Sequence, residues 1–308
     1  MKNLNIKKWI EELMASDPPR AKSLAMTIFG DAIGPHGGAI WLSNLIDLLS
    51  PFGVSDRLVR TSVFRLAEEG WLAATREGRR SLYALTAPGL RRVDRVYRRI
   101  YAPLSTHWDG RWTLIFSTAG MLDAMQRGAL RKELLWEGFS MIAPGVFGHP
   151  SSRPDILEDV LDRVGATGKV FVCAASELDQ VSSRPLRTLV DEGWELDSVI
   201  AGYRHFIEQF STLSNALTQK QEIEPELSFV IRTLLIHAFR RVQLHDPQLP
   251  LELLPANWPG TAAYALCQHI YRHTYKAAEQ HLLSVFEAEG DTVRSAAPDF
   301  YERFGGLS

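Results

Sequence analysis

Ser55-Asp56-Arg57-Leu58-Val59-Arg60-Thr61-Ser62-Val63-Phe64-Arg65-Leu66-Ala67-Glu68-Glu69 is the stretch on which the reading of this chain turns. Ser55 is an N-cap residue type. The apolar Leu58/Val59, Val63 and Leu66/Ala67 recur at helical spacing and predict a helix over 56–69 with one face inward. The same spacing sends Arg57, Arg60, Thr61 and Arg65 outward. Working back along the chain, Arg20 to Ile33 reads as a helix with Leu24, Ile28, Phe29 and Ile33 on one side, ended by Gly34-Pro35-His36-Gly37-Gly38. A second short helix over Leu42–Leu49 is closed by Pro51 and Gly53. Working forward, two strand-like runs, Trp71–Thr75 and Ser81–Leu85, are joined by Arg76-Glu77-Gly78-Arg79-Arg80. Three helices followed by a basic-tipped hairpin is the order of a winged helix-turn-helix, whose third helix enters the major groove.

Charge supports that reading. Between Ser55 and Arg99 eleven arginines stand against five acids, a window of +6 in a chain whose net charge is −2. The window contains no lysine, and a planar guanidinium forks onto phosphate or guanine edges where an ammonium acts as a point charge. Arg57 and Arg60, near the start of the third helix with Ser55 at its cap, are placed to read guanine O6 and N7. Thr61 suits a phosphate or a thymine methyl, and Arg65 extends the same outward face. Arg79 and Arg80 on the wing would contact the backbone, which positions without specifying. A fourth helix follows, with Leu90, Val93, Val96 and Ile100 inward and Arg91, Arg92, Arg95, Arg98 and Arg99 outward. A winged helix used only for protein contacts, or a merely solvated basic surface, is the competing reading. Gly34–Gly38 lacks the Gly-Lys-Ser/Thr ending of a phosphate loop and follows a helix where a strand is required, so it reads as an inter-helix turn.

The remainder divides in two. Strand 112–117, helix 121–136, strands 139–143 and 145–148, helix 155–164 and strand 169–175 give the split βαβ of a ferredoxin-like βαββαβ domain. After residue 176 the pattern is helical, over 197–217, 225–244 and 261–289, interrupted by a Pro-rich connection from Asp246-Pro247 to Pro259-Gly260. The fold class is therefore α+β and multidomain. The expected parts are an N-terminal extension over 1–19, a winged helix-turn-helix with linker helix over 20–101, a ferredoxin-like domain over 108–176 and an all-α C-terminal domain over 177–308.

Catalytic patterns are missing. Ser117 and Thr118, not an acid, follow the first central strand, and no Gly-x-Ser-x-Gly elbow or Cys-His spacing occurs. His269 and His273 stand four apart, as zinc ligands do on a helix, but without the acid that accompanies such pairs in hydrolytic sites. Catalytic and metal residues are accordingly expected to be none. Cys173 and Cys267 fit no disulfide or metal spacing, which favours a reducing cytoplasm. Lys2, Lys7 and Lys8 mixed with Glu11 and Glu12 around an Ile6/Trp9/Ile10/Leu13 stripe do not make a signal peptide. The longest apolar runs, Trp112–Phe116 and Val170–Ala175, fall far below the ~18–20 residues of a membrane span.

Three motif sets resemble the PaaX family of phenylacetate-degradation repressors. They are the run Arg20-Ala-Lys-Ser-Leu-Ala-Met-Thr-Ile-Phe-Gly-Asp31; the block Val59–Leu66 with Gly70-Trp71-Leu72 and the wing Gly78–Tyr83; and Leu235–Arg241 continuing through Asp246-Pro247, Leu253-Leu254-Pro255 and Trp258-Pro259-Gly260. The similarity runs from Arg20 to about Leu283. It implies a dimeric transcriptional repressor that binds operator DNA and is released by phenylacetyl-CoA, with no cofactor. It also implies a central domain similar to CRISPR-associated small nucleases but used for regulation. An acyl-CoA effector needs an apolar slot with cations, expected between the middle and C-terminal domains, with His237, Arg240, Arg241 and Trp258 in sequence reach. The alternatives are a DNA-directed nuclease or acyl-CoA-processing enzyme, and an activator or architectural DNA binder without a small ligand.

Overall fold

The computed structural model describes residues 4–103, 107–118, 120–151, 153–176, 187–219, 223–288 and 295–307. The chain groups into two compact units. Met1–Pro103, Tyr203–Gln243 and Gly260–Ser308 form the first; Leu104–Gly202 and Leu244–Pro259 form the second. The stretch 177–308 is thus not one continuous body. The reason is local: Leu249, Leu253 and Leu254 of the Pro-rich connection bury themselves with Trp112 and Val190 in the second unit.

The first unit opens with α1 (Ile6–Ser16), which buries Ile6, Trp9 and Ile10. Within the extension 1–19, Trp9 therefore anchors this helix: its indole donates to the Gln209 carbonyl at 3.3 Å and lies edge-on to Phe210. Next come α2 (Ala21–Ile28), a wider turn over Phe29–Ile33, β1 (Ala39–Trp41), α3 (Leu42–Leu49) and α4 (Asp56–Glu68). The hairpin β2 (Leu72–Glu77) and β3 (Arg80–Leu85) and the helix α5 (Ala87–Tyr101) complete the N-terminal part. The strand β1, directly after the Gly34–Gly38 turn and too short to show a period, pairs antiparallel with β3, giving a three-stranded sheet in the order β1-β3-β2.

In the second unit β4 (Trp112–Phe116), α6 (Ala124–Trp136), β5 (Ser140–Ala143), β6 (Val146–His149), α7 (Pro154–Arg163) and β7 (Phe171–Ala175) form a four-stranded antiparallel sheet in the order β5-β6-β4-β7. That is the split βαβ order expected for this stretch. Strand periodicity sends Ile115 into a core with Leu130, Leu134, Phe147 and Val160, and Trp112 into the cluster with the 244–259 connection. Asp123 caps α6 reciprocally with Gln126. α8 (Arg187–Gly193) adds Val190 to the Trp112 cluster. α9 (Leu196–Gln219), α10 (Pro225–Gln243) and α11 (Gly260–Ala288) follow, and a 3₁₀ segment over Pro298–Gly305 ends the chain. No helix among the described residues is long and apolar enough to cross a membrane.

The heart of the first unit is charged. Asp31, almost wholly buried, accepts from Tyr101 Oη at 2.6 Å, Tyr271 Oη at 3.0 Å and Arg303 Nη1 at 2.9 Å, and pairs with Arg232 Nε at 2.9 Å. Arg232 also holds Glu279 at 2.6 Å, and Glu279 meets His36 Nε2 at 2.8 Å. Two acids and two arginines thus balance in an interior where only Glu279 keeps some exposure, and charge pairing is the condition under which buried ions are tolerated. Burial alone would raise the Glu279 carboxyl, but Arg232 and the His36 hydrogen bond outweigh it and hold it at about 2.

These environments set the acid limit of the fold. Glu279 titrates near 2 when folded against an ordinary 4.5, so its stabilisation is complete above pH 4.5 and lost as pH falls toward 2, on the order of 3 kcal/mol. His237, buried with Thr27 Oγ1 3.0 Å from its Nδ1, is pushed to about 4 by burial and then by Arg240 and Arg241. Because the folded state prefers the neutral ring, this contribution is complete above pH 6.5 and fades as pH falls to 4. Denaturant midpoints should therefore decline in two stages, first between pH 6.5 and 4, then below 4.5; a midpoint flat down to pH 4.5 would contradict the His237 assignment.

Candidate nucleic-acid interface

α4 is seated by Val59, Ser62, Val63 and Leu66, all buried, and packs against α2. Arg57, Arg60, Thr61 and Arg65 are exposed, on the side expected from the period. Ser55 occupies the N-cap position with an extended backbone, but its side chain makes no capping hydrogen bond. The Thr61 hydroxyl donates to the Arg57 carbonyl at 2.8 Å.

Leu58, expected inward, is 52% exposed, and Phe64 on the same helix is 59% exposed. On a 100° helical step Leu58 lies at the edge of the buried arc, and only Val59 of the adjacent apolar pair falls inside it. The exposed face of α4 therefore carries apolar surface beside its three guanidinium groups.

The β2–β3 turn is tighter than the five-residue loop expected from the sequence. β2 and β3 run in register from Leu72↔Leu85 to Glu77↔Arg80, leaving only Gly78-Arg79 as the turn. Gly78 has φ +60, a conformation that a two-residue hairpin turn requires and a glycine adopts freely. Arg79 is exposed at the tip. Arg80 is not splayed outward: its guanidinium lies over the Trp41 ring at 4.1 Å, so this arginine pins β3 to β1.

The hairpin is tied to its neighbours by backbone bonds. Trp71 N–H donates to Leu66 O at 2.9 Å, and Thr86 N–H donates to Trp71 O at 3.0 Å. Gly89 brings α5 against Trp71, since a Cβ there would stand 2.3 Å from the Trp71 carbonyl oxygen. On α5, Arg92 stacks at 4.9 Å on Trp71, and Arg91 and Arg98 are exposed. Arg99 corrects the outward reading of that face: it is buried and donates to Gln243 O at 3.5 Å, because its side of α5 faces α10. Leu90, read as inward, is 41% exposed.

The residues expected for an effector fall in different units. His237, Arg240 and Arg241 sit on α10 in the first unit, while Trp258 packs in the Trp112 cluster of the second. Arg241 pairs with Asp17 at 2.6 Å, and Arg240 Nη2 donates to Ser23 O and Oγ at 3.2 and 3.0 Å. His273 Nδ1 lies 2.8 Å from the His269 carbonyl, and His269 Nε2 is 3.2 Å from Thr218 Oγ1. Among the described residues no three His, Cys, Asp or Glu side chains gather as a metal site would need. The thiols of Cys173 and Cys267 are unpaired with each other, and burial pushes that of Cys267 up.

Against known proteins, the chain is 38% identical over 97% of its length to the transcriptional repressor PaaX of Escherichia coli, of which the match covers 95%. Residues 20–89 match the PaaX-like protein family, 105–187 the PaaX protein central Cas2-like domain and 194–284 the PaaX-like protein C-terminal domain. The uncharacterized protein Rv0674 from Mycobacterium tuberculosis superposes with a TM-score of 0.49 at 24% identity, over 78% of this chain and 90% of that one. The class defined is a DNA-binding transcriptional repressor, not an enzyme, of mixed helix and sheet with a Cas2-like central domain and a helical C-terminal region. The chain belongs to the PaaX family.

Proposed function

We propose that the protein represses a phenylacetate catabolic operon, holds its operator through a winged helix-turn-helix built from α2 to α4 and the β2–β3 wing, and is released by an acyl-CoA, phenylacetyl-CoA. The observation that carries the DNA assignment is the one-sided build of α4, with Val59, Val63 and Leu66 seating it and Arg57, Arg60, Thr61 and Arg65 exposed. Arg57 and Arg60 read base edges, Arg65 and Thr61 extend the contact, and Arg79 meets phosphate from the wing tip. Arg80 acts through Trp41, holding the wing at its angle. The protein works in the cytoplasm as a homodimer without a cofactor, since two reading helices must address half-sites about one helical turn apart. For the effector, Arg240 is the side chain carried forward, because His237 and Arg241 are engaged with Thr27 and Asp17.

The test is binding of the purified protein to the DNA upstream of its own operon, at fixed salt, with and without phenylacetyl-CoA. Tight specific binding abolished by the thioester is expected. Binding that ignores the thioester would overturn the effector, and absence of specific binding would return the winged helix to a protein-contact role. Arg79→Ala should weaken operator and random DNA alike and flatten the dependence of log K on log salt by about one phosphate contact; a loss confined to the operator would reassign Arg79 to base reading.

A further inference from the structure

The first unit contains a narrow pocket between α2, α5 and α10, lined by Gly30, Asp31, Trp71, Val93, Ile100 and Ile236 among others, with a volume of about 40 Å³. Its surface is overwhelmingly apolar, and Arg240 is the cation that lines it. The arginines around this core differ in their counter-ions. Arg232 and Arg303 are wholly buried and neutralised by Asp31 and Glu279, whereas the partly buried Arg240 has no carboxylate within ion-pair distance among the described residues. One of its terminal nitrogens is held by Ser23, but its Nε, like nitrogens of Arg232 and Arg303, is buried without a hydrogen-bond partner. An unmet donor on a buried cation is costly unless something supplies an acceptor. A Cβ built on Gly30 would already touch Val93 Cγ1 at 3.7 Å, so an occupant larger than a methyl group must move α5 from α2.

We propose that this pocket receives the aryl end of an acyl-CoA, the thioester carbonyl oxygen accepting from Arg240 and the coenzyme end leaving through the pocket mouth. The proposal rests on the acyl-CoA effector reading given above. Aromatic and aliphatic walls suit a ring, and a carbonyl oxygen is the acceptor that an arylacyl group carries one or two bonds from its apolar body. The pocket walls are also the supports of the DNA-facing elements. α4 packs on α2, and the wing begins at Trp71, which is bonded to Leu66 of α4 and to Thr86 ahead of α5. An occupant that spreads α5 from α2 therefore shifts α4 and wing relative to each other, which is how a ligand distant from the arginine face lowers operator affinity.

The experiment is calorimetric titration of the full chain with phenylacetyl-CoA, and with coenzyme A alone, for the wild type, Arg240→Met and Gly30→Val. Circular dichroism and the denaturant midpoint check folding, and operator binding without thioester is measured on each. Arg240→Met should keep operator binding, Gly30→Val, whose side chain itself presses on Val93 of α5, should weaken it, and both should bind phenylacetyl-CoA at least ~10-fold more weakly, the loss of a hydrogen bond to a charged group or of the ring's space. Coenzyme A alone should not distinguish the three proteins. Should Arg240→Met or Gly30→Val fail to fold, Gly30→Ala, whose added methyl makes only ordinary contact, reads the same occlusion. Wild-type affinity in the folded variants would overturn the pocket while leaving the effector intact. A wild type that binds no thioester would overturn the effector reading and the pocket assignment with it.

Discussion

Replacing Asp31 by Asn should lower the stability of the first unit by about 3–5 kcal/mol, the cost of leaving one partner of a buried ion network uncompensated. Asparagine fills the same space, so packing is nearly conserved and the loss reports charge. In the native state a single carboxylate receives two tyrosine hydroxyls and two guanidinium groups, Arg232 and Arg303, both wholly buried. Without it Glu279 alone faces two buried cations, and the Tyr101 and Tyr271 hydroxyls lose their anionic acceptor. Urea unfolding followed by tryptophan fluorescence, with Trp9, Trp41 and Trp71 as reporters in this unit, would measure the change. A loss below about 1 kcal/mol would mean that the network is solvated or replaceable. Because Tyr101 ends α5 and Asp31 lies in the Phe29–Ile33 turn that continues α2, the same variant should also loosen the frame on which α4 and the β2–β3 hairpin are mounted, so operator affinity should fall with stability.

Arg60→Ala should cost operator affinity by ~10–100-fold and relax the preference at one base position, as loss of a bidentate arginine–guanine contact does. Arg60 is exposed in the middle of the arginine face, one turn from Arg57 and flanked by Thr61, while Val59 and Val63 beside it are buried. Removing it therefore leaves the seat of α4 untouched, and circular dichroism and the denaturant midpoint should not move. The measurement is operator binding at fixed salt against a panel of single-base variants and a random duplex. Equal weakening on operator and random DNA would show that Arg60 contacts phosphate. Contrast with Arg79→Ala separates the two roles, since the wing-tip variant is expected to weaken every sequence equally.

Much of this protein is legible without coordinates, and what is legible is local. The alternation of Trp112 and Ile115 between two faces and the helical spacing of Val59, Val63 and Leu66 depend on neighbours within about four residues, so the sequence carries them directly. The outward direction of Arg57, Arg60 and Arg65 follows from the same arithmetic. Errors begin where a decision depends on the width of a buried arc, as with Leu58 and Arg99, or on an element too short to show a period, as with β1.

What only the tertiary structure decides is which distant side chains share a dry interior. Asp31 and Arg303 are 272 positions apart and Asp31 and Tyr271 are 240 apart, yet all three meet within hydrogen-bond distance. Nothing in a stretch containing Asp31 distinguishes it from a surface acid, because charge alone does not reveal whether its counter-ion will arrive from the far end of the chain. The same holds for Arg240, whose want of a carboxylate becomes visible only when α2, α5 and α10 close around it. Local spacing determines the elements and the arginine face; long-range packing determines where charge is paired, where it is left open, and so where a ligand can act, because desolvation is a property of the assembled interior and not of any segment.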